Sequence, residues 1–153
     1  MKSPEEIVAK AIQHFCVYRE RTQQEVRDKL YEMGLHQREV ENTIAGLISN
    51  GFLNEERFAR AFAGGKFRIN GWGKIKIRHA LIQKKVSPKC IELGLDSIDV
   101  RDYSASLKKI LNQKLKSGKE KNIFIQKNKA ACFALSRGFE PELVWNILGE
   151  PEE

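Results

Sequence analysis

The chain has 153 residues, 41% of them hydrophobic and 31% charged, with a formal net charge of +7. This length suits one ordinary domain or a short array of smaller units, and the apolar content suffices for a core. No apolar run approaches the length of a bilayer span, and the opening MKSPEEIVAK is acidic in its first turn, so neither a membrane helix nor a signal peptide is expected and the expected compartment is the cytoplasm.

The charge is unevenly spread. Residues 1–56 hold 7 basic and 10 acidic side chains, residues 57–91 hold 10 basic and no acidic ones, and residues 92–153 hold 10 of each. One middle segment therefore carries the excess. Solubility alone does not require such segregation, whereas a polyanionic partner favours it, because Lys and Arg release counterions condensed on a phosphate backbone. Cys16, Cys90 and Cys132 are far apart and lie among apolar neighbours, which predicts reduced, buried thiols and no disulfide framework. No Cys or His pair has metal-ligand spacing, so no metal site and no cofactor are expected.

In chain order, Glu5 to Tyr18 predicts a helix with Ile7, Val8, Ala11, Ile12 and Phe15 on one stripe. Thr22 to Glu25 (TQQE) has capping-box spacing for a second helix, which Gly34 ends, and a third carries Val40 and Ile44. Asn54 caps a helix bearing Phe58, Ala61 and Phe62, with the two phenylalanines read as core. Lys74-Ile75-Lys76-Ile77-Arg78 alternates like a half-buried strand, but the run is short and Ile77 and Leu81 form a helical pair. A helix is expected there, burying Ile77 and Leu81 and turning Lys74, Arg78 and Lys85 largely outward. Ser87 caps the next helix, with Pro88 just inside it. Asp99 or Asp102 opens a helix carrying Leu107, Ile110, Leu111 and Leu115, and a final pair of helices turns at Gly138, with Pro141 opening the last.

These elements repeat. Segments starting at Val26, Ile77 and Ala130 place Leu30, Leu81 and Ala134 in register; Leu35, Val86 and Phe139; Val40, Ile91 and Val144; and Ile44, Leu95 and Leu148. At the turn, two copies have glycine, Gly34 and Gly138, and the middle one has Lys85. The expected fold is all-α: three tandem three-helix repeats, residues 4–52, 53–98 and 99–150, in an elongated, curved helical array.

No arrangement for catalysis stands out. The glycine pairs at Gly64-Gly65 and Gly71-Trp72-Gly73 lack a phosphate-loop pattern, and no two carboxylates are placed for acid–base work, so a binding protein is expected rather than an enzyme. The candidate contact residues lie in the cationic segment: Arg57, Arg60, Lys66, Arg68, Trp72, Lys74, Lys76, Arg78, Lys84 and Lys85. Trp72 between its glycines suits either stacking on an exposed base or plugging a core. Trp145 on an apolar stripe reads as packing. A second cluster runs through Lys108, Lys109, Lys114, Lys116, Lys119, Lys121, Lys127 and Lys129, interrupted by Glu120. It reads equally as a second phosphate-tracking surface or as a solubilising face.

NGFLNEERFARAF followed by NGWGKIKIRHALIQKKVSP resembles the RecX regulators of the RecA recombinase. Gly51, Phe52, Leu53, Asn54, Glu56, Arg57, Phe58 and Ala59 match the first part of the family pattern, and Gly71, Trp72, Gly73, Ile77, Arg78, Leu81 and Lys84 match the second. The likeness runs from about Arg19 to Pro88, and Lys85 replaces the family's usual turn glycine. The resemblance implies an all-helical modular chain that binds the RecA filament on single-stranded DNA, within its groove. It implies inhibition of filament extension, strand exchange and the coupled ATPase, without catalysis by the regulator itself. The expected partners are the RecA filament and single-stranded DNA, with weaker binding to double-stranded DNA left open, and the expected state is a monomer. The competing expectation is a winged-helix regulator of double-stranded DNA, because residues 22–53 scan like a helix-turn-helix. Against it, Glu39 and Glu41 on the would-be recognition helix repel phosphate, and a helix stands where the wing should follow.

Overall fold

The structure is a computed structural model that describes residues 1–149; Glu150, the expected end of the third repeat, lies outside the described residues. Among the described residues the chain is all-α, with nine helices and no strand: α1 (Pro4–Tyr18), α2 (Gln23–Glu32), α3 (Gln37–Ser49), α4 (Glu55–Asn70), α5 (Lys74–Gln83), α6 (Pro88–Asp96), α7 (Val100–Ser117), α8 (Ile123–Ser136) and α9 (Pro141–Leu148). The missing strands remove the hairpin wing that a winged-helix reading needs. The helices group into two compact units. One comprises Met1–Phe62 and Leu81–Gly94; the other comprises Ala63–Ala80 and the chain from Leu95 onward.

In the first unit, Ile12, Cys16, Val26, Leu30, Val40, Ile44, Leu47 and Leu53 form a buried cluster, with Val8, Phe15, Met33, Leu35 and Phe52 packed partly against it. The stripe of α1 is narrower than expected: Ile12 and Cys16 are buried, while Ile7 is 55% exposed and Ala11 is exposed. A helix that touches its unit along one edge has room for few side chains, and apolar residues beyond that edge stay in water. Arg21 ties the α1–α2 connection. Its Nε donates to the Phe15 carbonyl at 2.9 Å, and its guanidinium lies 3.7 Å from the Phe15 ring centroid. Thr22 is buried, and its Oγ1 accepts the Glu25 N–H at 3.0 Å. Asn54 caps α4 by accepting the Arg57 N–H at 2.9 Å. Glu55 joins two helix starts: its carboxylate accepts the Gln23 N–H at 3.1 Å and the Ser87 N–H at 2.9 Å. Phe58 is buried and stacks on half-buried Phe62 at 5.7 Å between centroids, whereas Ala61 faces solvent.

In the second unit, the core holds Ala63, Phe67, Ile77, Leu95, Tyr103, Leu107, Leu111, Ala130, Ala131, Ala134, Phe139, Val144 and Leu148. Asp99, not Asp102, caps α7, accepting the Asp102 N–H at 3.0 Å. Tyr103 packs between Phe67 and Phe139, with ring centroids at 5.6 and 5.1 Å. Its hydroxyl donates to the Glu140 carboxylate and accepts the Lys74 N–H at 2.9 Å. The start of α5 is anchored further by Gly73 N–H to the Arg137 carbonyl at 2.7 Å and Ile75 N–H to the Gly138 carbonyl at 2.9 Å. The backbones approach so closely that a β-carbon on Gly73 would stand 2.3 Å from Gly138 and Phe139 backbone atoms. Glycine is required there by space.

The three turns share one hydrogen-bond pattern. Gly34 N–H donates to Tyr31 O and Leu35 N–H to Leu30 O; Lys85 N–H donates to Ile82 O and Val86 N–H to Leu81 O; Gly138 N–H donates to Leu135 O and Phe139 N–H to Ala134 O. This is the Schellman motif, and it requires a left-handed residue. Gly34 has φ 92°, Gly138 φ 96° and Lys85 φ 62°. Lysine therefore adopts the glycine conformation, at a cost of about 1–2 kcal/mol. Of the fifteen positions aligned from sequence, Leu35 is half-buried and the others are buried. The α5 stretch that alternates in sequence is helical, with Ile77 and Leu81 at 0% exposure; Lys85 faces outward, but Lys74 and Arg78 are half-buried. The cysteines are free thiols. Cys16 is buried, Cys90 half-buried and Cys132 exposed, so the expectation of three buried thiols is corrected for Cys132, which lies on the solvent side of α8.

Candidate functional site

The cationic segment is divided between the two units. Arg57, Arg60, Lys84 and Lys85 belong to the first; Lys66, Arg68, Trp72, Lys74, Lys76 and Arg78 belong to the second.

In the first unit, acids from outside the segment meet its arginines. Arg57 Nε donates to Glu20 Oε1 at 2.6 Å, and its Nη2 donates to the Gly51 carbonyl at 3.2 Å. Arg60 pairs with Glu56 at 3.7 Å. Both pairs are substantially solvated, and such pairs contribute at most about 1 kcal/mol, so a phosphate can compete for these guanidinium groups. Lys84 is half-buried, with Nζ 5.7 Å from the Phe62 ring centroid, and Lys85 projects from its turn into solvent.

In the second unit, Trp72 gathers cations. Lys66 Nζ stands 5.0 Å and Lys76 Nζ 4.7 Å from the indole centroid. Lys66 reaches it from α4 and Lys76 from α5. The bonds that seat the α5 start, together with Trp72 N–H donating to the Lys66 carbonyl at 3.1 Å, fix the loop between these helices. Trp72 is half-buried, so part of the ring packs and part is open to solvent, with two ammonium groups beside it. Lys74 Nζ lies 5.1 Å from the Tyr103 centroid. Arg68 is exposed, and its guanidinium folds back along α4 toward Gly64. Lys66 and Lys76 thus stand beside one aromatic ring, an arrangement suited to a phosphate backbone with an adjoining base.

Burial, and after it the hydrogen bond to Glu140, pushes the Tyr103 hydroxyl far above the usual tyrosine range. Burial likewise pushes the Cys16 thiol up, against the pull of Arg21 and Arg57. Neither residue was singled out from sequence as part of a site. The Glu56–Arg60 pair has the readable i,i+4 spacing, whereas Glu20 and Arg57 are 37 positions apart and nothing in the sequence links them.

Two family models match: the first three-helix domain of RecX over residues 11–47 and the second three-helix domain of RecX over residues 54–95. The chain belongs to the RecX family. Similar curated proteins include the regulatory protein RecX of Clostridium perfringens strain 13, 31% identical over 122 residues, covering 78% of this chain and 57% of the relative. The regulatory protein RecX of Clostridium botulinum strain Eklund 17B is 31% identical over 132 residues, covering 85% of this chain and 61% of the relative. The chain thus spans about three fifths of the length of these RecX proteins. Among solved structures, the crystal structure of RecX from Lactobacillus salivarius superposes with a TM-score of 0.86 at 19% identity, covering 92% of this chain and 91% of that one. A second crystal structure of regulatory protein RecX gives 0.76 at 18% identity, covering 98% and 79%. These two likenesses establish a shared all-α fold. No helix among the described residues is long and apolar enough to cross a membrane.

Proposed function

We propose that this RecX-family chain regulates the RecA recombinase by binding the RecA filament on single-stranded DNA, within its groove, and restrains filament extension, ATP hydrolysis and strand exchange. It acts as a monomer in the cytoplasm and performs no chemistry of its own. Residues 4–52, 53–98 and 99–150 are its three helical modules in this proposal, and the cationic segment of the middle one is the main contact.

The observation that carries the reading is Trp72 with Lys66 and Lys76 beside its ring, in a family whose members are named regulators. Arg68, Lys76 and Lys85 face solvent and supply long-range attraction to a polyanion. Arg57, Arg60, Lys74, Arg78 and Lys84 are more engaged within their own units and serve as secondary contacts.

The test is the single-stranded-DNA-dependent ATPase of the recombinase, titrated with this protein. The wild-type chain suppresses hydrolysis, and the effect weakens steeply with added salt. The double variant Arg68→Glu/Lys76→Glu changes exposed side chains, keeps the wild-type circular dichroism, and loses most of the suppression. Full suppression by the folded double variant would remove this surface from the mechanism.

A further inference from the structure

The lysine cluster of the third expected repeat is not used by the reading above. We propose that the end of α7, the loop at residues 118–122 and the first turn of α8 form a separate binding surface for single-stranded nucleic acid. Phe124 is its stacking platform, and Lys114, Lys119, Lys121 and Lys129 hold phosphates.

The charge at this place is strongly positive, four lysines to one acid, Glu120. All four lysines are exposed, and among the described residues no ion pair neutralises them. The single acid of the stretch, Glu120, is half-buried: its carboxylate accepts the Asn122 N–H at 3.4 Å, and its carbonyl accepts from the Gln126 side chain. Cations near a helix C-terminus are stabilised by the helix dipole, which accounts for Lys114 and Lys116. It does not account for Lys119 and Lys121 in the loop or for Lys129 in α8.

Shape and apolar exposure point the same way. Lys114 and Lys129 line one cleft of about 200 Å³ between α7 and α8 together with Gln126 and Glu120, so two cations face one acid there. Lys114 Nζ is held 4.5 Å from the Phe133 centroid, which limits its wandering. In the first turn of α8, Ile123, Phe124 and Ile125 are 62%, 42% and 38% exposed in consecutive positions. Phe124 follows Lys119 and Lys121 and precedes Lys129 in the chain, and an exposed aromatic ring on a cationic segment is the pairing that captures stacked bases along a phosphate chain. An anionic lipid surface is the poorer fit. The apolar face of α8, with Ala130, Ala131 and Ala134, is buried in its own core, so the helix has no long free stripe to lay into a bilayer.

Binding at this surface needs no recombinase and is read first on the chain alone. The full chain is titrated into fluorescein-labelled oligo(dT), and anisotropy is read over a range of salt. The variant Lys119→Gln/Lys121→Gln/Lys129→Gln should flatten the slope of log K against log salt by about 2, near 0.7 for each lost phosphate contact. Phe124→Ala should weaken binding about 5- to 150-fold at fixed salt and leave the slope unchanged. Phe124→Tyr should restore it. Thermal melts establish that each variant is folded. Wild-type affinity and slope in the folded triple variant would overturn the proposal, as would equal binding by Phe124→Ala. So would phosphatidylserine vesicles that bind the chain through Phe124 while oligo(dT) does not bind. A chain that binds oligo(dT) through these residues yet leaves the recombinase ATPase untouched keeps this inference and removes the filament reading. ATPase suppression without oligo(dT) binding does the reverse.

Discussion

Lys85 holds a conformation that suits glycine, with φ 62° and its side chain in solvent. Replacing it removes a β-carbon penalty and no packing, so Lys85→Gly should raise stability by about 1 kcal/mol in denaturant melts. A fall in stability would mean that the lysine side chain makes a contact worth more than the strain. The position itself was readable, because two copies place glycine there. The strain was not, since a lysine in sequence says nothing of its φ. Tyr103 is the opposite case. Its hydroxyl joins the α5 start to Glu140, and no spacing links residues 29 and 37 positions apart. Its titration lies well above the unfolded value of 10.0, so the folded chain keeps a proton that the unfolded chain releases at high pH. The stability from this group is therefore whole below pH 10 and is lost as pH rises above it. Tyr103→Phe should lower stability near neutral pH by about 1–3 kcal/mol, leaving the Glu140 carboxylate and the Lys74 N–H without their partner. It should also remove part of the alkaline decline. Parallel denaturant melts of both proteins up to about pH 11 measure the difference, and identical alkaline slopes would argue against the assignment.

Elements were most legible where chemistry at a helix end is local. Thr22, Asn54, Ser87 and Asp99 all cap the helices they precede in sequence. Five alternating residues at Lys74 could have been a strand. The helical pair Ile77 and Leu81 decides otherwise, and both are fully buried. Leu81→Ala should therefore cost about 2–5 kcal/mol in a denaturant melt, the range for a buried leucine whose cavity cannot collapse. A cost near zero would place Leu81 at a rim. The α1 stripe was less legible, because periodicity marks every apolar position and only packing decides which of Ile7, Ala11 and Ile12 meets a neighbour. The same limit applies to the candidate site. Sequence located the cations, but whether each meets an acid, as Arg57 meets Glu20, or an aromatic ring, as Lys76 meets Trp72, depends on tertiary approach.

At the scale of the molecule, the sequence repeats and the compact units do not share boundaries. Phe62 and Ala63, adjacent in the middle of α4, fall in different units, as do Ala80 and Leu81 in α5. The apolar register of three copies was visible in the chain. The allotment of the middle copy's helices was not, because the repeat describes which positions are buried and not what they are buried among. A peptide covering residues 53–98 alone holds 53–62 and 81–94 without the rest of the first unit, and 63–80 and 95–98 without the rest of the second. It should give a weak helical circular-dichroism signal and a broad melt, whereas a sharp cooperative transition would show that the middle repeat is self-sufficient.

This interleaving makes the protein a candidate for fragment complementation. A break after Asn70, an exposed residue, would give two polypeptides that each supply part of both units. Co-expressed pieces 1–70 and 71–153 should therefore elute together in native buffer and separate only in denaturant, each serving as the missing wedge of the other.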